Sequence, residues 1–131
     1  MRLIGKWSHL IIDVVFIIAL IAGPGYAGFT GRQADLAWIL AGVMFLLVAF
    51  TLIKVVRFSM HGLIEAVVVV LILVFPWIAN FAAGVHSRNF YMFAGIVMLA
   101  IWIMTDFRGV RSAGRAATPK PAEPPSPPPA R

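Results

Sequence analysis

Two pairs of side chains in this sequence have the types and spacing to do chemistry. His9 and Asp13 stand four residues apart, and so do His61 and Glu65. In an α-helix that spacing places both members of a pair on one face. Imidazole and carboxylate together can hold Zn, Fe or Mn. They can also pass a proton, because imidazole titrates near neutral pH. The pairs are 52 residues apart, His9 to His61, and their surroundings correspond. HLIIDVVFIIALIAGPGYAGF aligns with HGLIEAVVVVLILVFPWIANF, so that Pro24 matches Pro76 and Phe29 matches Phe81. These matched positions hold the only His, Asp, Glu or Pro of either stretch, so apolar filler does not explain the alignment.

Each pair heads a long apolar run, and those runs must position it. The first span is expected from about Ile4 or His9 to Ala22, closed by Gly23-Pro24-Gly25. A loop over 26–35 then carries Arg32 and Asp35, and the second span covers 36–56. A basic turn with Lys54 and Arg57 leads to Ser59, which could cap the third span. That span ends near Pro76 and Trp77, the expected helix-end motif together with Pro24. A loop over 79–88, with a solvated His86 and Arg88, precedes the fourth span at 89–105. Trp38-x-x-Ala41-Gly42 matches Tyr91-x-x-Ala94-Gly95 with one residue inserted between the copies, and the small pair should let helices approach closely. The expected fold is therefore an all-α membrane protein with four transmembrane helices. They form two tandem parallel-repeat hairpins, 7–56 and 57–107, followed by a tail at 108–131. The tail is basic and rich in Pro and Ala, a composition too poor in large apolar groups to fold.

The composition agrees. Of 131 residues, 61% are hydrophobic and 12% charged, with mean hydropathy +0.93. A soluble domain carries about 25% charged residues. A net charge of +6 would suggest nucleic acid in a soluble protein. Here the basic residues flank apolar spans, so the expected partner is a bilayer with anionic headgroups and not nucleic acid. There is no Cys, which excludes disulfides, thiolate metal sites and cysteine nucleophiles. Arg2 and Lys6 before an apolar run imitate a secretory signal, but Asp13 and the match to the third span place this segment in the mature fold.

Orientation follows from the basic residues. Arg2, Lys6, Lys54, Arg57, Arg108, Arg111, Arg115, Lys120 and Arg131 fall on one side, and Arg32 and Arg88 on the other. Nine against two places both termini in the cytoplasm. Trp7, Trp38, Trp77 and Tyr91 fall near span ends, as interface aromatics do. The pairs His9/Asp13 and His61/Glu65 then share one depth near the cytoplasmic face.

Phe75-Pro76-Trp77 near the end of the first helix of a two-helix unit resembles the SPW-repeat family of small bacterial membrane proteins. The resemblance covers 7–107. Phe75 stands where that motif has Ser, and the first copy, Gly23-Pro24-Gly25, keeps the Pro alone. The resemblance implies an integral protein of the bacterial inner membrane without an assigned reaction. In size and repeated helices the chain is also similar to small acid-resistance membrane proteins.

Two functional readings follow. In the first, the protein is a non-enzymatic structural, assembly or stress-related component that needs no cofactor. Each carboxylate then accepts a hydrogen bond from a His of its own or the other copy, fastening the first helix to the third. A homo-oligomer or a membrane-complex partner is compatible with this. In the second, His9, Asp13, His61 and Glu65 form one site for a divalent metal or a proton. A haem on the two His residues fits less well, since adjacent acids suit a small cation. No phosphate loop, Ser-His-Asp set or HExxH motif is present, so no enzyme is expected. The charge asymmetry makes a direct prediction: a carboxyl-terminal tag on intact cells should react with an impermeant reagent only after permeabilisation. Labelling of unbroken cells would reverse the orientation.

Overall fold

The computed structural model describes residues 3–107. The tail expected at 108–131, and Arg2, lie outside the described residues. Four helices follow one another: α1 (Lys6–Ala27), α2 (Arg32–Leu52), α3 (Phe58–Ile78) and α4 (Val85–Met104). They are 20 to 22 residues long, or about 30 Å at 1.5 Å per residue, the thickness of a bilayer core. All four are long and apolar enough to cross a membrane, so the chain is an all-α, multi-pass membrane protein.

Its surface is apolar in keeping with that solvent. Ile11, Val15, Ile18, Phe45, Val67, Val70 and Phe93 all point outward. The interior is a single cluster that includes Leu10, Leu20, Met44, Val69, Ile72, Tyr91 and Met98. α1 packs chiefly on α2, and α3 on α4, while α1–α4 and α2–α3 contacts are sparser. The backbones of α1 and α3 come no closer than that and face each other across the bundle's diagonal.

The helix ends differ from the sequence expectation. α1 does not stop at Gly23-Pro24-Gly25 but continues to Ala27, with Pro24 inside it. α3 likewise runs past Pro76 to Ile78. In lipid each backbone group must be bonded within the protein, which favours helix up to a residue that can turn the chain. Gly28 does this with φ 72°, and Asn80 with φ 60°. The amide of Phe29 then donates to Pro24 O at 3.1 Å, and that of Phe81 to Pro76 O at 2.8 Å. Pro24 and Pro76 thus sit one turn inside the helix and supply the closing acceptor. α2 begins at Arg32 and α4 at Val85, so Asp35, His86 and Arg88 belong to first turns and not to loops. α2 ends at Leu52, four residues short of the expected boundary, where Lys54 takes φ 63° and starts the turn. Ser59 is not a cap: α3 starts after Arg57 with no side-chain cap bond.

The correspondence of α2 and α4 also shifts. Burial relates them by 54 residues: Ala37 to Tyr91, Met44 to Met98 and Thr51 to Thr105, each 1% exposed or less. The offset of 53 that pairs Trp38 with Tyr91 matches a residue 53% exposed to one fully buried. Trp7, Trp38 and Trp77 do face outward, but Tyr91 is an interior residue whose hydroxyl donates to Gln33 O at 2.7 Å. The small pairs are likewise not equivalent. A Cβ at Gly95 would stand 2.5 Å from Leu73 Cδ2 and 2.7 Å from its Cγ, whereas one at Gly42 would meet nothing within 4 Å. Gly95→Ala should therefore lower the unfolding free energy by about 1–3 kcal/mol through overpacking. Gly42→Ala should raise it by up to about 1 kcal/mol through helix propensity. Thermal unfolding in detergent micelles reads both, and equal shifts of one sign would refute the packing difference.

Candidate metal or proton site

The four polar residues meet at one point. His9 and His61 are each the fourth residue of their helix, and Asp13 and Glu65 each the eighth. One turn separates the members of a pair, so each helix presents an imidazole and a carboxylate side by side toward the diagonal. The centre therefore lies about 5–10 Å below the end of the bundle that carries the α2–α3 turn. All four side chains are fully buried. One ligand atom from each lies within 4.8 Å of every other.

The shortest bonds run between hairpins. His9 Nε2 is 2.9 Å from Glu65 Oε2, and His61 Nε2 is 3.1 Å from Asp13 Oδ2. Within one helix the separations are longer, 3.5 Å for His9 Nε2 to Asp13 Oδ1 and 4.0 Å for His61 Nε2 to Glu65 Oε2. Of the two pairings open to the sequence, the exchange between α1 and α3 is the one adopted. Each carboxylate keeps one oxygen, Asp13 Oδ1 and Glu65 Oε1, buried without a hydrogen-bond partner. An orphaned buried oxygen costs about 1–3 kcal/mol, more when charged, unless something else occupies it.

The other ring nitrogens find partners that the sequence reading did not single out. His9 Nδ1 is 2.8 Å from Thr105 Oγ1, and His61 Nδ1 is 2.9 Å from Thr51 Oγ1. Both Thr residues lie at the end of an even-numbered helix, and both are 1% exposed. A hydroxyl near the same end of each even-numbered helix is the sequence signal for them, and the two hydroxyls correspond only at the 54-residue offset.

Aromatic rings close the site on the turn side. The His9 ring has Phe107 at 5.0 Å, His61 at 5.6 Å and Phe58 at 5.7 Å between centroids. Phe107 rests on Gly62, where a Cβ would strike its ring. Trp102, half-buried, donates from Nε1 to Gly62 O at 2.6 Å. Of the remaining expected residues, Pro24 and Pro76 lie at the opposite end of the bundle. Trp77 is exposed there, and so is His86; none of the four joins the site.

No family model matches this chain, and no match was found among curated proteins or solved structures. The site is therefore read from its own geometry. Four ligand atoms of mixed imidazole and carboxylate type, gathered in the buried interior, can share a cation or fasten α1 to α3. Both uses depend on the bonds between hairpins. In double-mutant cycles with alanine, the His61–Asp13 pair should couple by about 0.5–3 kcal/mol. That coupling should exceed the one between His61 and Glu65. A larger coupling within α3 would contradict the observed pairing.

Proposed function

We propose that this chain is a membrane protein that holds one divalent transition-metal ion between His9, Asp13, His61 and Glu65. The observation that carries the reading is the convergence of four buried ligand atoms within 4.8 Å of one another. Zn, Fe and Mn all accept a set of two imidazoles and two carboxylates. Two carboxylates, two neutral imidazoles and a divalent cation sum to zero charge, which suits a lipid-surrounded interior. The orphaned Asp13 Oδ1 and Glu65 Oε1 give the ion further acceptors.

The surroundings favour binding over passage across the membrane. Beyond the centre, the interior toward the loops between α1 and α2 and between α3 and α4 is lined by Phe16, Ile17, Leu20, Met44, Ile72 and Met98. Among the described residues, the buried side chains with polar atoms at that end are Ser87 and Tyr91, and each hydroxyl is spent on a backbone carbonyl, Gly84 O and Gln33 O. An ion would reach the centre from the turn side, past Phe58 and Phe107. The same ion would serve the structural reading, because it would tie α1 to α3. The charge asymmetry supports placing that side in the cytoplasm of a bacterial cell, with the chain in the inner membrane. A duplicated hairpin of the SPW-repeat kind belongs to the same proposal, supported by the paired positions of His, acid, Pro and Phe in α1 and α3.

Metal analysis of the detergent-purified chain tests the reading. Stoichiometric Zn, Fe or Mn is expected in the wild type, lost in His9→Ala and in Glu65→Gln while helicity persists. A folded wild type that stays ion-free after incubation with each metal would refute it.

A further inference from the structure

We infer that Thr51 and Thr105 are positioning residues that hold both imidazoles in the tautomer with the proton on Nδ1, reserving Nε2 for the ion. The inference deepens the proposed function and rests on it. It starts from a donor count. A Thr hydroxyl has one proton to give. Thr51 Oγ1 donates to Leu47 O at 2.8 Å, and Thr105 Oγ1 to Ile101 O at 2.7 Å. With that proton spent on the preceding helical turn, each hydroxyl can only accept from the imidazole beside it. His61 Nδ1 therefore donates to Thr51, and His9 Nδ1 to Thr105.

The consequence falls on the other side of each ring. In a neutral imidazole with its proton on Nδ1, Nε2 carries a lone pair. Those lone pairs face Glu65 Oε2 at 2.9 Å and Asp13 Oδ2 at 3.1 Å. Nitrogen and oxygen acceptors need a cation between them, a proton or a metal ion, and the proposed function puts the divalent ion in that place. Ring orientation is fixed by the same contacts. His61 is held by Thr51 of α2, and His9 by Thr105 at the end of α4, so each imidazole is set by a helix of the opposite hairpin. A hydrogen-bond partner on the far nitrogen of a ligating His fixes the tautomer and ring orientation, and its loss typically weakens metal binding about 10- to 100-fold.

The test combines Zn(II) competition against a chromophoric chelator with ring nitrogen-15 spectra of histidine-labelled full-length protein in micelles. In the Zn-loaded wild type both Nδ1 atoms should show a bonded proton and both Nε2 atoms a metal shift. Thr51→Val and Thr105→Val should each weaken Zn binding about 10- to 100-fold and let the facing ring change tautomer. Thr51→Ser and Thr105→Ser keep the hydroxyl and should stay near wild type, which separates hydrogen bonding from packing. A wild type that binds Zn through Nδ1 would overturn the inference and leave the metal reading standing. So would Val variants with unchanged affinity and tautomer. A folded wild type without affinity for Zn, with protons on both Nε2 atoms, would overturn the inference as an account of Zn ligation. Tested also without uptake of Fe or Mn, that protein would defeat the proposed function.

Discussion

Lipid offers no hydrogen bonds, so a polar side chain inside this bundle must be satisfied by another one. His9, Asp13, His61 and Glu65 meet that demand across the diagonal, where the α1 and α3 backbones are too far apart to pack closely. Each imidazole faces a carboxylate with one ring nitrogen and bonds a hydroxyl with the other, both from the opposite hairpin. Sliding or rotating one hairpin against the other would break several of these bonds together, each leaving a buried polar group unpaired. The many interchangeable apolar contacts could tolerate such a slip, since a methyl packs against any neighbour of suitable size. The polar centre cannot, and it therefore fixes the register of the fold. Buried polar groups have served this role elsewhere, most clearly in setting helix register.

The backbone at the same end supports this arrangement. Residues 53–57 connect α2 to α3 in a short turn, with Val55 and Val56 amides on Phe50 O at 2.9 and 3.1 Å. The equivalent place between α4 and α1 has no covalent link, yet it is closed by hydrogen bonds. Leu3 and Ile4 donate to Met104 O at 2.8 and 3.1 Å, and Asp106 donates to Ile4 O at 3.0 Å. Thr105 lies within that bridge, paired with Ile4, so the terminal contact and the His9 partner are one piece of structure. The opposite end uses apolar closure instead: Phe29 and Phe81 are buried against Tyr91. The two ends of the bundle thus differ in chemistry, and the centre faces only one of them.

Four spans and the candidate residues were legible in the sequence because both signals are local. Long apolar runs need no tertiary knowledge, and i,i+4 spacing puts an imidazole and an acid on one face in any helix. The 52-residue correspondence extended that to equal depths. Which carboxylate each imidazole would choose was not legible, since the i,i+4 partner and the partner on the other helix are both within chemical reach. Distance decided it, 2.9 Å against 3.5 Å for His9. Pro24 and Pro76 misled for a related reason. Their preference for helix ends is learned where water can take up a freed carbonyl, and here the chain stays helical until Gly28 or Asn80 can turn it.

The Thr residues show how much a single register step matters. α1 and α2 are joined by residues 28–31, and α3 and α4 by residues 79–84, a connection two residues longer. α3 is one residue shorter than α1, so the offset of 52 between the starts of α1 and α3 becomes 53 between the starts of α2 and α4, one short of the 54 that relates their buried faces. At 53, Thr51 would correspond to Met104, a partly exposed apolar residue, and the hydroxyl of Thr105 would have no counterpart. One residue is about 100° of helix rotation, enough to carry Thr105 off the face that meets His9. At 54, both hydroxyls reach an Nδ1 atom at 2.8 to 2.9 Å. The step from 53 at the helix starts to 54 at the buried faces is thus what gives each imidazole a Thr hydroxyl on the side away from the carboxylates.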